Sequence, residues 1–458
     1  MIEQIKASQS VTDKVRYFTA WRWHFYAGLF VIPFMLMLSF TRLIMLFDKE
    51  IESARYANLL VVEPQEEYAV PSLQLAAVRK ALPGTVVTQY IPPRDFDAPS
   101  RFSVRFPDET TRFVLVNPYT AEVIGLIDRS DSWYELANDI HGTLLIGDLG
   151  DYLIEIAASF SILLLVSGLY MWWPRDETSK AGFLKIRTGS GTRTLMRDLH
   201  ANLGGVFSLV LLFFILSGLA WAGVWGGKLV QPWGSFPAER SKNVPQSTLT
   251  HKSLNHGSEE EMPWNLELTQ VPASVFGVRN VGIDEMVSMA NDAGFTHYKL
   301  RFPSSETGVF TLSANTMSGD ITNPTQDRTM HVDRYSGDVL ADIGFDDYNL
   351  LAKSMAAGIA LHKGGISVVN KIANVFFCSV FIVIALTGGI MWWKRRPKGA
   401  GRLAAPPSPV GSGFWVLGFI TLTTISVLFP LAGTSVVAIV GVDWLVFRKI
   451  PAIKHAIN

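Results

Sequence analysis

Long apolar runs alternate with long polar segments along the chain. A bilayer whose hydrocarbon is about 30 Å thick needs roughly twenty helical residues to cross it. Runs of suitable length are 24–47, 150–173, 200–226, 368–393 and 412–447. The last run is too long for one crossing and is interrupted by "FPLAG" at 429–433, so we expect a hairpin of two short helices there. The pattern therefore predicts an integral membrane α-helical bundle with about six spans.

Lysine and arginine predict which side of the membrane each loop faces, because they concentrate in short cytoplasmic loops. Basic clusters precede the first span and follow the second, the fourth and the last apolar run. All four clusters lie on one side if 412–447 crosses twice, which places both termini in the cytoplasm. A single long tilted helix is the alternative. No cleavage site of small residues follows the first apolar run, so we expect an uncleaved signal anchor.

Two polar segments, 48–140 and 227–360, then lie on the opposite side. Their proline-rich loops and short alternating runs such as "RFSVRF" predict two small α+β domains rather than linkers. The remaining segments are 1–47 with the N-terminus and first span, 141–226 with the second and third spans and their basic loop, 361–398 with the fourth span, and 399–458 with the hairpin and tail.

Composition supports a membrane protein and excludes several other classes. Of 458 residues, 48% are hydrophobic and only 17% are charged. The 40 basic and 40 acidic residues cancel, so no attraction to nucleic acid is implied. The single cysteine, Cys378, permits neither a disulfide nor a thiolate cluster within one chain, so any cofactor needs other ligands. No G-x-G-x-x-G, Walker or H-E-x-x-H motif supports flavin, nucleotide or zinc-protease chemistry.

The chain contains an internal repeat. "NPYTAEVIG" at 117–125 is echoed by "DRYSGDVLA" at 333–341, and "VSGLYMWWPR" at 166–175 is echoed by "LTGGIMWWKRR" at 386–396. One histidine lies between the two motifs of each copy. Both copies run in the same direction, which predicts a parallel repeat with a pseudo-twofold axis along the membrane normal.

Four histidines occupy repeat-related positions, two at each side of the membrane. Paired imidazoles across a bundle supply both axial ligands of a haem iron, and a glycine one helical turn after a ligand leaves room for the porphyrin. We therefore expect two haems, of b-type because no C-x-x-C-H is present. The candidate cofactor-binding residues are His24 with His200 on the cytoplasmic side, His141 with His362 on the outer side, and the glycines Gly28 and Gly204.

Alternatives remain open at these positions. Any single histidine at the membrane interface is more often an anchor than a metal ligand. Pairing of His24 with His362 would be chemically equivalent if the helices were arranged differently. A continuous helix would put His141 about 48 Å from Trp173, so we expect a break at "GDLG", 147–150. The weaker candidates are His251, His256, His297 and His331, expected in solvated loops, and Arg42, Glu155 and Lys371, expected to extend their charged ends to water.

The order of these motifs resembles the PepSY-associated transmembrane family. The resemblance covers about 15–447 and rests on the H-x-x-x-G helix, the "Y-[ST]-[AG]-[DE]-V" motif, the histidine of the returning helix and "SGLYMWWPR". The first copy departs from the second by having "DIH" where the other has "ALH". The resemblance implies PepSY domains outside a bacterial inner membrane. It also implies a di-haem reductase that passes electrons from an unidentified cytoplasmic donor to a periplasmic ferric siderophore or similar chelate.

Reduction of Fe(III) to Fe(II) would release the metal, because hard oxygen ligands favour the more highly charged ion. Docking of the chelate, or more often core packing, is the expected role of Trp133, Tyr134, Arg334 and Tyr335. PepSY domains are also associated with peptidase inhibition, so a haem-free membrane regulator or binding module is the main alternative. A transporter is a third possibility, since parallel repeats occur in transporters.

Overall fold

The computed structural model describes residues 2–174, 180–235, 244–255, 262–396, 403–407, 415–445 and 449–450. The chain divides into two compact units. The helical unit comprises Met1–Leu43, Ile140–Leu229 and Asn374–Asn458. The sheet unit comprises Ile44–Asp139 and Val230–Ala373.

The α-helices of the described residues are numbered in chain order. They are α1 (Ile2–Leu46), α2 (Asp48–Arg55), α3 (Pro71–Ala81), α4 (Trp133–Thr143), α5 (Asp148–Trp172), α6 (Thr192–Val206), α7 (Ser208–Leu219), α8 (Gln231–Gly234), α9 (Ile283–Asp292), α10 (Leu350–Lys363), α11 (Val368–Arg395), α12 (Val416–Leu428) and α13 (Pro430–Leu445). A π-helical segment, Trp225–Val230, lies between α7 and α8.

Three helices within the described part of the chain are long and apolar enough to cross a membrane: Asp13–Leu46 of α1, α5 and α11. A fourth span results if α6 and α7, which bend by 64° at Phe207, count as one. The terminal run forms two helices of 13 and 16 residues, interrupted at Pro430, whose ring nitrogen has no hydrogen to donate. Each reaches only about 20 to 24 Å, so six full spans remain a prediction.

The core of the helical unit lies between α1, α5, α7 and α12. Its buried members include Val31, Leu163, Leu219 and Ile425. Helix α11 packs against α6 and α7 through a second buried cluster around Phe381. Apolar side chains on facing helix stripes therefore fix the arrangement that brings the histidine-bearing helices together.

The sheet unit contains ten strands in its described residues: β1 (Val86–Ile91), β2 (Ser100–Arg105), β3 (Thr111–Val116), β4 (Val123–Asp128), β5 (Gln246–Thr250), β6 (Gln270–Pro272), β7 (Lys299–Arg301), β8 (Val309–Ala314), β9 (Arg328–Asp333) and β10 (Val339–Gly344). Eight of them form one antiparallel sheet in the order β10-β9-β8-β7-β1-β2-β3-β4. Strands β5 and β6 form a separate two-stranded ribbon.

The two polar segments, 48–140 and 227–360, are expected as two small α+β domains but share this one sheet. Each segment contributes four strands to this sheet and one helix to its covered face, and the equivalent strands β1 and β7 pair antiparallel through Gln89↔Arg301 and Tyr90↔Leu300. A twofold relation between the copies requires such a pair at their boundary. The pairing also gives each copy's edge strand a hydrogen-bonding partner, which an isolated domain would lack.

One face of the shared sheet is covered by α3 and α9. Buried residues from both helices and both halves of the sheet form a single cluster, including Val78, Met286, Val104 and Leu312. Alternation along the strands sends the neighbouring residues to the opposite face. That second face contains polar residues that are nevertheless buried, among them His331 at 0% exposure.

Candidate functional site

The helical unit brings together the first predicted histidine pair. His24 lies on α1 and His200 on α6, and their ring centroids are 6.0 Å apart. The planes of the two imidazoles stand at 88° to each other. Both residues keep part of their surface exposed in the isolated protein. The H-x-x-x-G spacing, used twice in the sequence, therefore marks two side chains that meet in space.

A serine on α5 fixes the tautomer of His24. The Nδ1 atom of His24 lies 3.0 Å from Ser167 Oγ, whose own hydroxyl donates to the Leu163 carbonyl at 2.6 Å. Because the serine hydrogen is already used, its oxygen accepts the hydrogen on Nδ1. The Nε2 atom is then the unprotonated nitrogen, which is the form that binds a metal.

A backbone carbonyl on α11 fixes the tautomer of His200 in the same way. The Nδ1 atom donates to the Ile384 carbonyl at 2.9 Å. Thr387 Oγ1 lies 3.4 Å from the same nitrogen, while its hydroxyl donates to Val383 at 2.6 Å. Nε2 of His200 is consequently unprotonated as well. The groups that hold the two imidazoles lie on α5 and α11, the helices that carry the two tryptophan-pair motifs.

Glycines on α5 and α11 let these rings approach. A Cβ atom at Gly168 would lie 3.2 Å from Cε1 of His24, and one at Gly388 would lie 3.2 Å from Cε1 of His200. Gly168 follows Ser167 and Gly388 follows Thr387, so both copies carry a hydroxyl residue and then glycine. Sequence reasoning missed these residues, although the signal was present in the repeated "SGLYMWW" and "TGGIMWW".

The glycines of the two H-x-x-x-G motifs lie in less crowded places. A Cβ at Gly204 would meet no atom within 4 Å, and a Cβ at Gly28 would make ordinary contact with Leu164 at 3.7 Å. Gly205 contrasts with them, since a Cβ there would lie 2.4 Å from the ring of Trp172. Helix packing among the described residues therefore explains Gly205 but gives no reason for glycine at the two candidate positions.

His141 repeats the same arrangement with a threonine of α1. Its Nδ1 atom lies 2.8 Å from Thr41 Oγ1, and the Thr41 hydroxyl donates to Met37 at 2.9 Å. His141 is therefore also unprotonated at Nε2. It lies on α4, which ends at Thr143, and α5 begins at Asp148. The helix break expected at 147–150 lies slightly earlier, at 144–147, where Leu144, Leu145 and Gly147 have positive φ.

The fourth histidine, His362, lies on α10 near its C-terminal end. His141 belongs to the helical unit and His362 to the sheet unit. The pairing of these two residues stays a prediction.

Two charged residues near helix ends do not extend to water as expected. Arg42 is 4% exposed and Glu155 is 0% exposed. Glu155 Oε2 accepts hydrogen bonds from the backbone N–H groups of Val224 and Trp225 at 3.1 and 3.2 Å. The backbone changes to a π-helix there and leaves donors without intrahelical partners. Glu155 therefore accepts hydrogen bonds from backbone N–H groups at a break in the helix. Lys371, in the sheet unit, forms an ion pair with Glu50.

Two histidines expected in solvated loops are instead buried together in the sheet unit. His251 and His331 are 1% and 0% exposed, and their Nε2 atoms lie 2.8 Å apart. Nδ1 of His251 donates to the Thr269 carbonyl at 2.9 Å, and Nδ1 of His331 accepts from Thr311 Oγ1 at 3.0 Å. One hydrogen, on Nε2 of His331, therefore joins the rings. Burial lowers the pKa of His251 to about 4 and holds that of His331 well below its usual range.

The remaining weaker candidates differ in how exposed their side chains are. His297 is exposed, whereas His256 lies outside the described residues. Tyr335 is buried at 7% exposure, and Trp133 is 55% exposed. Within the described ranges, no group of three or more histidine, cysteine, aspartate or glutamate side chains has the geometry to hold a metal ion.

The His24 and His200 pair fits an iron porphyrin better than a bare ion. Imidazole nitrogen binds a first-row metal at about 2.1 Å, so two rings sharing one metal from opposite sides have centroids roughly 6 Å apart. The observed separation is 6.0 Å. Two axial imidazoles are sufficient for haem, since the porphyrin supplies the remaining ligands.

Comparison with known proteins agrees with this architecture. The family model for the PepSY-associated TM region matches residues 21–395. Among curated proteins, none matches the chain. The matched range includes all four repeat-related histidines and both copies of the tryptophan-pair motif. The chain therefore belongs to the PepSY-associated transmembrane family.

Proposed function

We propose that this protein is a di-haem membrane oxidoreductase that transfers electrons from a cytoplasmic donor to a ferric siderophore or similar iron chelate in the periplasm of a bacterium. His24 and His200 would hold one b-type haem, and His141 and His362 the other. The single observation that carries the proposal is the His24 and His200 pair, 6.0 Å apart and both unprotonated at Nε2.

The protein's part in this function is to hold the ligands and tune their basicity. Haem, when bound, supplies one-electron Fe(III)/Fe(II) chemistry. Ser167 and the Ile384 carbonyl accept the Nδ1 hydrogens of the two imidazoles, and Thr41 does the same for His141. Such outer partners orient a ligand and increase its electron donation. Low polarity around the pair, which lies among apolar helices, further influences the reduction potential.

The proposed substrate reaction is balanced by one electron for each iron. An Fe(III) chelate accepts one electron and becomes an Fe(II) chelate, from which hydroxamate, catecholate or carboxylate oxygens release the metal more readily. The electron comes from a cytoplasmic donor that the sequence does not identify. The lipid bilayer is the other proposed partner. The formal net charge of the chain is zero, which gives no support for nucleic acid as a partner.

A pyridine haemochrome assay on the purified full chain tests the cofactor assignment. We expect about two haems per chain, with low-spin absorption bands that sharpen on adding dithionite. His24→Ala and His200→Ala should lose the same haem, and His141→Ala and His362→Ala the other. His297→Ala, at an exposed histidine, should keep both. Retention of both haems in all four ligand variants would refute the assignment.

The reductase activity needs a separate measurement. Protein reduced with dithionite and freed of excess reagent should return to its oxidised spectrum when a ferric trihydroxamate is added, and a ferrous-specific chelator should trap one Fe(II) for each electron consumed. The His200→Ala variant should lose most of this capacity. A red protein that does not react with any ferric chelate would remove the proposed substrate but keep the haem assignment. A colourless protein after haem-replete expression would favour the haem-free regulator.

A further inference from the structure

The two imidazoles of the cytoplasmic-side pair are perpendicular, and neighbouring groups fix both planes. The interplanar angle is 88°. Ser167 on α5 engages Nδ1 of His24 from one side of the bundle, and Ile384 on α11 engages Nδ1 of His200 from another. Because the two partners belong to different helices, neither ring can turn toward its mate without losing a hydrogen bond.

Close glycine contacts restrict the same rings. Gly168 lies against Cε1 of His24, and Gly388 lies against Cε1 of His200, each at a distance where an added Cβ would be 3.2 Å away. That distance is too short for ordinary packing, so a side chain at either position would force its histidine ring to move. The ring plane of His24 is therefore set by Ser167 and Gly168, and that of His200 by the Ile384 carbonyl and Gly388.

The angle between axial imidazoles has an electronic consequence. Each imidazole interacts through its π system with the iron d orbital that lies perpendicular to the ring plane. Parallel rings act on the same orbital and split the iron d levels, which produces a rhombic low-spin spectrum. Perpendicular rings act on two different orbitals equally, which keeps them nearly degenerate and makes the magnetic response highly anisotropic. By setting the angle between the two axial ligands, a protein therefore influences the electronic properties of a bound haem.

We propose that Ser167, Gly168, Gly388 and the backbone carbonyl of Ile384 are positioning groups that hold His24 and His200 perpendicular, so that the haem they share is a highly anisotropic low-spin centre. This inference rests on the proposed function, since it concerns the same ligand pair. The residues touch the ligands rather than the reacting chelate, and their effect is on the spectrum of the bound iron.

Electron paramagnetic resonance of the oxidised full-length protein at liquid-helium temperature tests the proposal. The signal of this pair is the one absent from His200→Ala. In the unaltered protein we expect that signal to be a single broad peak at a larger g value than parallel bis-imidazole haems show. In Gly388→Ala, the added Cβ would lie 3.2 Å from Cε1 of His200 and displace the ring, so we expect the peak to move to lower g and to gain the two further features of a rhombic spectrum. Gly168→Ala should act similarly through His24.

Gly389 offers a matched control. It neighbours Gly388 on the same helix, but a Cβ there would meet no atom within 4 Å, so Gly389→Ala should leave the signal unchanged. Absorbance of the same samples reports whether haem is present. A rhombic signal from haem-loaded unaltered protein, or equal spectra for Gly388→Ala and Gly389→Ala, would overturn the inference while leaving the proposed function intact. Absence of haem would overturn both.

Discussion

Thr41 accepts the Nδ1 hydrogen of His141 across 2.8 Å, on a hydroxyl whose own hydrogen is donated to Met37. The same three-part chain of carbonyl, hydroxyl and imidazole occurs at Ser167 and His24. Two histidines on different helices are therefore held in the same tautomer by the same kind of hydrogen bond. The effect of that hydrogen bond on haem binding can be tested.

Thr41→Val should weaken haem retention at His141. The change preserves shape but removes the hydroxyl that accepts the Nδ1 hydrogen, and loss of such an outer partner costs roughly 10- to 100-fold in metal affinity. Haem loss to apomyoglobin, followed by absorbance, measures the effect. Ser159→Ala is a matched control, because Ser159 makes only the equivalent hydroxyl bond to Glu155 at 2.7 Å. Equal haem-loss rates in the two variants would contradict the prediction.

Ser217 should support haem retention as Thr41 does. Ser217 lies 17 residues after His200, as Thr41 lies 17 residues after His24, so the two are equivalent in the repeat. The Ser217 hydroxyl likewise donates to a carbonyl one turn back, that of Phe213, at 2.6 Å. We expect Ser217→Ala to accelerate loss of the same haem as Thr41→Val and to spare the His24 and His200 haem. Selective loss of the latter haem would show that the repeat equivalence fails.

The buried His251 and His331 pair should make the sheet unit sensitive to acid. Burial lowers the pKa of His251 to about 4, below its usual 6.5, so the unfolded chain takes up protons first as pH falls. The pair's contribution to stability is therefore complete above about pH 6.5 and declines toward pH 4. Thermal unfolding of the full chain between pH 7.5 and 4 measures this slope.

Leucine is the natural replacement, because Leu115 holds the position of His331 in the other copy and is itself fully buried. The double variant His251→Leu and His331→Leu should flatten the dependence of the unfolding temperature on pH between 6.5 and 4, relative to the unaltered protein. An unchanged slope in a folded double variant would refute the role of the pair.

Asp327 should make the stability of the sheet unit depend on pH in the opposite direction. Burial and nearby Asp320 raise the pKa of Asp327 to about 7, against two hydrogen bonds from Thr316 that favour the charged form. The folded protein thus holds a proton that the unfolded chain releases at about pH 4, and the stability contributed by Asp327 falls as pH rises from about 4 to about 7. Asp327→Asn should therefore be more stable relative to the unaltered protein at pH 8 than at pH 5. Identical differences at both pH values would contradict the raised pKa.

The histidines could be found from sequence because their spacing repeats, and repetition is independent of how the helices pack. Ser167, Thr41 and Gly168 could not be assigned in this way. Serine and threonine inside apolar helices usually bond to their own backbone, as these do, and only the approach of a second helix adds the imidazole. Alignment of the two copies was the available signal for Ser167 and Gly168, since the hydroxyl residue and glycine recur together.

The shared sheet was unpredictable for a different reason. Alternating residues indicate that a segment is a strand and which face is buried, but they do not specify its partner. Gln89 and Arg301 are separated by more than two hundred residues, and their pairing follows from the geometry of the whole unit. The burial of His331 was missed for the same reason, because its cover comes from the distant turn that contains His251.

The pairing of β1 with β7 also bears on how such a chain arises and assembles. A molecule containing one copy would present β1 as an open edge, and open edges join other chains. The same edge of an identical molecule would fit it, since β1 and β7 are equivalent. The present chain thus has the form of a dimer joined into one polypeptide. During synthesis, more than two hundred further residues must be made after β1 before its partner strand β7 exists.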